Sequence, residues 1–316
     1  MHDAVYGLPP ADLVEVDDGA AQLSPLIPGS ARIEDLPEAG LARIDVLAPP
    51  GTLERRFVLA QALRALAPGG RLTALAPKER GGSRIAKELR EFGCAVAEDA
   101  RRHHRICTVS RPAAPAGLAA AVAEGGPRHI DNLALCSQPG VFSWNRLDPG
   151  SALLIGQFPK LAGRGADFGC GLGVLAAAVL RSEAVTALTL IDIDRRAVEM
   201  ARRNVADPRA TVRWADLRAT DPGLSRLDFV VTNPPFHDGG AEDQALGKGF
   251  IARAAEALRP GGTLWLTANA HLPYEVTLRE AFRDVTLRAS AGGYKVFEAR
   301  KGGRFDAKGG EDEAAR

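Results

Sequence analysis

Apolar positions in the second half of the chain follow two alternating periods. Short runs in which β-branched and aromatic residues recur at every second position, or without a break, are GADF (165–168), TALTLID (186–192), TVRWAD (211–216), LDFVVTN (227–233), GTLWLTA (262–268), DVTLRA (284–289) and YKVFEA (294–299). Between them, apolar residues return every three to four positions in VLAAAVLR (174–181), RRAVEMARRNV (195–205), GFIARAAEALR (249–259) and YEVTLREAF (274–282). A period of two marks a strand and one near 3.6 marks a helix. Their alternation predicts an α/β fold, a mostly parallel seven-stranded sheet with helices on both faces. Ligands in such sheets bind beyond the carboxyl ends of the strands.

The first half repeats the pattern. AQALRALAPGGRLTALAPKE (60–79) aligns with ARAAEALRPGGTLWLTANAH (252–271), each a helix, a Pro-Gly-Gly stop and a strand, and IDVLAPP (44–50) echoes the end of LDFVVTNPP (227–235). Two related α/β domains are therefore expected, over 1–125 and 126–300. The Ala-, Pro- and Gly-rich stretch 110–129 reads as the connection between them. The last stretch, KGGRFDAKGGEDEAAR (301–316), has no periodicity and reads as a disordered tail.

Composition narrows the class. A chain of 316 residues that is 46% hydrophobic can bury two cores. No apolar run approaches the roughly 18 residues of a membrane span, and the first 19 residues carry neither a basic head nor an apolar signal core. The expectation is a cytoplasmic protein without membrane contact. Cys94, Cys107, Cys136 and Cys170 match neither disulfide nor metal-ligand spacing, so reduced core thiols and no metal are expected. Net charge is +1, which sets up no global field for a polyanion, although 33 of the 40 cationic residues are arginine. The cluster 101–105, RRHHR, fits either a phosphate contact or a solvated turn.

Chemistry concentrates at the predicted strand ends. Asp167-Phe-Gly169-Cys-Gly171-Leu-Gly173 lies where the first strand of the second half turns into a helix, and glycines at spacing two let the backbone turn tightly and approach a ligand. The next strand ends at Asp192, where a carboxylate can accept both hydroxyls of a ribose. Asp194 falls where the following helix starts and reads as its cap. Asp216 ends the third strand, placed either to accept from an adenine amine or to cap a turn. The fourth strand leaves through Asn233-Pro234-Pro235-Phe236.

A GxGxG turn, acids after the second and third strands, and NPPF after the fourth resemble the class I S-adenosylmethionine-dependent methyltransferases. The resemblance implies S-adenosylmethionine as cofactor, held by Asp167, Gly169, Gly171, Gly173, Asp192 and Asp216. It also gives the NPPF exit a purpose. The lone pair of a planar exocyclic amine is delocalised into its ring, so the amine must be aimed and its N–H groups accepted. Asn233 and the backbone carbonyl of Pro234 supply acceptors that two prolines hold rigid, and Phe236 is placed to stack on a base. His237 reads as a substrate contact or a turn residue, not a general base.

The match extends further. QPGVFSWNRLDPGSALLIGQFP (138–159), DFGCGLGVLAAAV (167–179), LIDIDRRAVEMARRN (190–204), VVTNPPFHDGG (230–240) and LTANAHLPYEVTLREAF (266–282) together resemble the bacterial ribosomal RNA guanine-N2 methyltransferases of the RsmC type. That resemblance implies two tandem Rossmann-like methyltransferase domains, the first degenerate and holding RNA. Indeed 1–125 lacks a GxGxG, and Ala48 stands where the motif asparagine would be. It further implies that Phe142, Ser143, Asp148, Gly150 and Ser151 line the cofactor pocket, and that Pro235, His237, Asn269 and His271 face substrate. Lys295 stays outside this site. The implied partner is ribosomal RNA in the small subunit, methylated at guanine N2 by a monomer. The opening segment through Asp18 has no Lys or Arg, so RNA contacts are expected from Arg80, Arg84 and the Arg101 cluster. Other readings left open are a large-subunit RNA guanine, a protein glutamine amide, and a non-catalytic assembly factor.

Overall fold

The computed structural model describes residues 2–218, 223–235, 237–238, 241–242 and 244–303. Contacts divide the chain into two compact units, Met1–Ile130 with Cys136–Trp144, and Asp131–Leu135 with the chain from Asn145 onward. In the first unit, strands β1 (His2–Tyr6), β2 (Ala21–Gln22), β3 (Leu41–Leu47), β4 (Leu66–Pro77), β5 (Ala97–Arg101) and β6 (His104–Ser110) form one sheet in the order β2-β1-β3-β4-β6-β5. Helices α1 (Thr52–Ala65), α2 (Ser83–Glu91) and α3 (Leu118–Gly125) accompany it, and β7 (Arg128–Ile130) pairs with β8 (Leu135–Ser137) in a short ribbon.

The second unit carries α4 (Pro149–Ile155), β9 (Gly163–Phe168), α5 (Val174–Val179), β10 (Val185–Asp192), α6 (Arg195–Asn204), β11 (Ala210–Trp214) and β12 (Leu227–Thr232). Then come the ribbon strands β13 (His237–Asp238) and β14 (Ala241–Glu242), α7 (Gln244–Ala257), β15 (Leu258–Asn269), α8 (Tyr274–Ala281), β16 (Asp284–Ala291) and β17 (Tyr294–Arg300). Its sheet runs β11-β10-β9-β12-β15-β17-β16, parallel except for β17, which is antiparallel to both neighbours. The expected α/β class, seven strands and tandem plan are all present.

Without β11, the second order is the first order strand for strand. Both sheets also carry the same irregularity. The pairing of β3 with β4 slips between Leu41 and Arg43, and that of β12 with β15 slips between Leu227 and Phe229, each where a Pro-Gly-Gly turn adds residues to the partner strand. Each sheet buries apolar side chains of its central strands completely, Ile44, Val46, Leu72 and Ala74 in one and Ala166, Phe168, Val230 and Leu264 in the other. Parallel strands covered on both faces require such near-continuous apolar runs.

Two sequence expectations change. The stretch 110–129 contains α3, because Leu-Ala-Ala-Ala-Val-Ala-Glu is a strong helix former. A side chain at Gly125 would sit 2.3 Å from Phe57 Cβ, so only glycine lets α3 close on α1. At the other end, Lys301 exchanges backbone hydrogen bonds with Gly261 and Gly262 and its ammonium donates to the Leu258 carbonyl at 2.7 Å. The fold thus runs to at least this residue, and residues 304–316 lie outside the described ones. Three cysteines are buried as expected, Cys136 is half-buried, and all four are free thiols. Among the described residues no helix is long and apolar enough to cross a membrane.

With Ala60 set against Ala252, Arg55 faces Gly247 and Gly82 faces Tyr274. Arg55 is fully buried, bidentate to Glu88 at 2.7 Å, and donates through Nη1 to the carbonyls of Pro49 (3.3 Å) and Pro50 (2.7 Å). A side chain at Gly81 would collide with it at 2.2 Å. In the second unit glycine holds the Arg55 position and the large side chain comes from α8, so that a side chain at Gly247 would lie 1.8 Å from the Tyr274 hydroxyl. Removing one partner of a buried ion pair strands the other charge. Arg55→Ala is therefore expected to destabilise the protein by ~3–5 kcal/mol in urea unfolding, while the paired change Arg55→Met with Glu88→Leu recovers most of that loss.

Candidate active site

Register brings the site together. Ile191 of β10 and Thr232 of β12 both pair with Phe168 of β9, so three neighbouring strands end level. The residues that follow are Asp192, Gly169 and Asn233. At about 4.8 Å per strand, Asp192 and Asn233 stand roughly 10 Å apart across the carboxyl edge, with the glycine turn between them. The Thr232 hydroxyl donates to the Phe168 carbonyl at 2.7 Å and ties the β12 exit to β9 one residue before Asn233.

Gly169, Gly171 and Gly173 all adopt positive φ, at 71°, 52° and 82°. Their surroundings differ. A side chain at Gly173 would strike Val205 at 2.6 Å, whereas one at Gly171 would meet nothing within 4 Å. Gly171 is therefore needed for its backbone conformation and borders open space, and Gly173 is needed for packing. The turn is held from behind: the Gly169 and Cys170 amides donate to the Ile191 carbonyl at 2.9 and 3.0 Å, and the Asn204 side chain donates to the Leu172 carbonyl at 3.0 Å.

Asp192 fastens the turn to its own strand. One carboxylate oxygen accepts the Gly171 amide at 2.8 Å and the other accepts the Asp194 amide at 2.9 Å. Burial is the main influence on its pKa, opposed by the Asp194 and Gly171 amides, and the result is pushed up to about 6. Asp167, fully buried beneath the turn, has neither oxygen in a hydrogen bond of ordinary geometry. Burial, then the charge of Asp192, pushes its pKa up to about 8, and the Ala176 amide opposes this only in part. Burial and the same two acids hold the Cys170 thiol well above its usual range.

Asp194 caps α6 as expected, accepting the Arg196 amide at 2.9 Å and pairing with the Arg196 guanidinium. Asp216 makes the same local arrangement: it accepts the Arg218 amide at 2.9 Å and its carboxylate is bidentate to Arg218 at 2.9 and 3.0 Å. These are the contacts of a turn residue.

Asn233 is the most informative side chain. Its Nδ2 donates to Asp148 Oδ2 at 2.8 Å and to the Ser151 hydroxyl at 2.9 Å, while Oδ1 is buried without a hydrogen-bond partner among the described residues. The acceptor end is therefore left over. Pro234 is buried and Pro235 exposed. Phe236 lies outside the described residues, and of His237 only the backbone is described, in β13.

Asp148 and Ser151 come from the N-terminus of α4, where Asp148 also accepts the Ser151 amide at 2.7 Å. A side chain at Gly150, between them, would lie 2.6 Å from the Tyr294 ring. The Asp-Pro step that starts α4 is a helix-start signal, but nothing local in the sequence points from Asp148 to Asn233, 85 residues away. Asn269 ends β15 paired with Tyr294. His271 follows it, exposed, and Lys295 is ion-paired with Glu275 at 2.6 Å. Phe142 is 57% exposed and belongs with Ser143 to the first unit. In the Arg101 cluster, Arg101 pairs with Asp99 and Arg102 with Asp12, as in a solvated hairpin turn.

Residues 132–298 match the family model described as methyltransferase small domain. Over 285 residues the chain is 36% identical to the ribosomal RNA small subunit methyltransferase C of Pseudomonas aeruginosa, covering 89% of this chain and 86% of that one. The protein of the same name from Stutzerimonas stutzeri is 33% identical over 313 residues, covering 94% and 93%. Among solved structures, the T. thermophilus 16S rRNA N2 methyltransferase RsmC in complex with AdoMet and guanosine superposes with a TM-score of 0.77, at 24% identity, over 95% of this chain and 88% of that one. At that identity the likeness speaks to the fold.

The state of Asp167 is open to measurement. Its folded pKa, about 8, is raised above the ordinary 3.8, so its contribution favours folding fully below pH 4 and is lost as pH rises through 8. Asp167→Asn removes that dependence. The variant is expected to be as stable as wild type near pH 4 and more stable by ~3 kcal/mol at pH 8, read from denaturant midpoints at both values. A gap that does not widen with pH contradicts a raised pKa.

Proposed function

Because the chain belongs to the methyltransferase small-domain family and, within it, to the ribosomal RNA small subunit methyltransferase C group, we propose that it methylates the N2 amine of a guanine in small-subunit ribosomal RNA. The carrying observation is the Asn233 amide, with its nitrogen tied back twice and its oxygen buried and unpaired at the strand exit.

The crevice fits S-adenosylmethionine. Open space stands over Gly171, between the ends of the strands that carry Asp192 and Asn233. Asp192 uses each oxygen once and retains lone pairs for two ribose hydroxyls. Asp167 offers a buried carboxyl with no protein partner of ordinary geometry beneath the glycine turn. When bound, S-adenosylmethionine supplies an electrophilic sulfonium methyl group. Asp167, Gly169, Gly171, Gly173 and Asp192 would hold it, with Asp216 and Ser151 at the margins of the same edge.

Catalysis by the chain is then a matter of aim and electrostatics. A guanine N2 presents two N–H donors in the plane of the base. Asn233 Oδ1 accepts one and the Pro234 carbonyl the other, which turns the nitrogen lone pair toward the donor group. Positive charge grows on that nitrogen as its new bond forms, and two oxygens fixed beforehand stabilise it without rearranging. The extra proton leaves to water, so no side chain need act as base. In this reading Phe236 would supply a face for the base, and Pro235, His237, Asn269 and His271 would contact the substrate.

The first unit supports the geometry from the opposite direction. Pro49 and Pro50 stand where Pro234 and Pro235 stand, and their carbonyls receive Arg55, itself a planar N–H donor. At the end of β2, Gln22 ties the first turn as Asp192 does at the end of β10, but with an uncharged amide that accepts the Gly7, Leu23 and Ser24 amides and donates back to the Gly7 carbonyl at 2.9 Å. With Ala48 for the asparagine and Arg55 in the pocket, this unit takes neither cofactor nor amine and serves to hold RNA. The same reading carries a cytoplasmic location and action as a monomer.

The test is methyl transfer from labelled S-adenosylmethionine to naked ribosomal RNA and to small subunits from a strain lacking the protein, followed by nucleoside mass spectrometry. N2-methylguanosine in small-subunit RNA is expected; label confined to protein, or absent, rejects the reading. Asn233→Ala is expected to lower kcat by ~100–1000-fold with cofactor Kd within ~3-fold of wild type, and an active variant rejects the role of the amide.

A further inference from the structure

We propose that Asp148 is a positioning residue for methyl transfer: with Ser151 it fixes which end of the Asn233 amide faces the crevice. The inference rests on the reading that Asn233 Oδ1 accepts the substrate amine. An asparagine amide has two ends of nearly equal size and opposite hydrogen-bonding character. Rotated by half a turn, Asn233 would offer NH2 to an incoming amine, donor against donor. A neighbour that tolerates only one orientation is therefore required.

Asp148 meets that requirement. An ionised carboxylate only accepts, so the 2.8 Å contact with Asp148 Oδ2 is attractive for Nδ2 and repulsive for Oδ1. The Ser151 hydroxyl adds a second acceptor at 2.9 Å. Both groups are more than nine-tenths buried, so water does not substitute freely for either. The carboxylate is itself immobilised, because Oδ2 also accepts the Ser151 amide at 2.7 Å, and the Tyr294 ring packed on Gly150 leaves that first helical turn no room to shift. A helix cap and an amide lock thus share one oxygen, and the order of α4 is transmitted to Asn233.

Capping and locking can be separated. Asp148→Ser keeps a good N-cap but is one bond too short, and uncharged, for the contact with Asn233. Expected are a melting temperature within ~2 °C of wild type, cofactor Kd and RNA KM within ~3-fold, and kcat lower by ~10–100-fold. Asp148→Asn, which keeps an acceptor oxygen at full reach, should recover most of the rate. Wild-type kcat in Asp148→Ser overturns the proposal, and so does a matching loss of cofactor affinity, which would make Asp148 a pocket residue. Should that variant not fold, Ser151→Ala tests the lock from its other partner, with a kcat ~3–10-fold lower expected and an unchanged kcat overturning it.

Side-chain amide NMR needs no turnover. The Asn233 NδH2 pair, assigned by its absence in Asn233→Asp, should exchange with solvent at least ~10-fold faster in Asp148→Ser than in wild type; equal rates overturn the lock. If wild type forms no N2-methylguanosine while the exchange rates differ as expected, it is the guanine reading that fails and the lock that stands.

Discussion

The parallel pairing of β9 with β10 on one side and β12 on the other is the constraint from which the site follows. Backbone hydrogen bonds fix that register, and a slip of one residue would turn every side chain to the wrong face. The buried runs Ala166–Phe168, Leu188–Ile191 and Phe229–Val231 make such a slip prohibitive. Level strand ends then place one residue from each strand in a row, and those residues are an acid, a glycine and an asparagine. The chemistry at the crevice is a consequence of where three apolar strands run out together.

Keeping that edge ready for a ligand works against stability. Burial makes both Asp167 and Asp192 harder to ionise than usual, the charge of Asp192 adds to this at Asp167, and Asp167 lacks a full hydrogen bond. Such strain persists only where the surrounding fold over-determines it, and here the glycine turn is held by the Ile191 carbonyl, Asp192 and Asn204 together. The first unit shows the same edge relaxed. Gln22 replaces the charge with an amide that satisfies itself on the turn, and Arg55 with Glu88 fills the space. One unit holds its polar groups in reserve and its relative has consumed them internally.

How much of this could be read from the sequence follows from the range of the interactions. Strand and helix periods, the glycine spacing, Asp192 at a strand end and Asp194 as a cap are local, and each was legible in a window of a dozen residues. The tandem plan was legible because the repeat aligns around Pro-Gly-Gly. The Asn233 lock joins residues 85 apart and the Arg55 pair joins residues 33 apart, so no window contains them. Asp216 shows the converse difficulty. A carboxylate at a strand end suits both a ligand and a turn, and the contacts with Arg218 two residues on are compatible with either. The Ala-rich stretch 118–125 was misread because Pro and Gly flank it. Its helix depends on Gly125 fitting against Phe57, a contact visible only once α1 is in place.

The exchange of sizes between units bears on how one crevice stays open. A helix that carries Arg55 needs Gly81 opposite, and one that carries Gly247 leaves room for Tyr274. The two solutions point differently. Arg55 reaches the Pro49 and Pro50 carbonyls and uses the acceptors at the strand exit. Tyr274 fills its volume from the α8 side, fully buried among core residues. The wall behind the crevice is then rigid without spending the edge that a substrate would meet. A change of Gly247 to any larger residue would therefore displace packing first and chemistry second, whereas a change at Asp148 leaves the packing and disturbs the chemistry. That contrast separates what builds the site from what aims it.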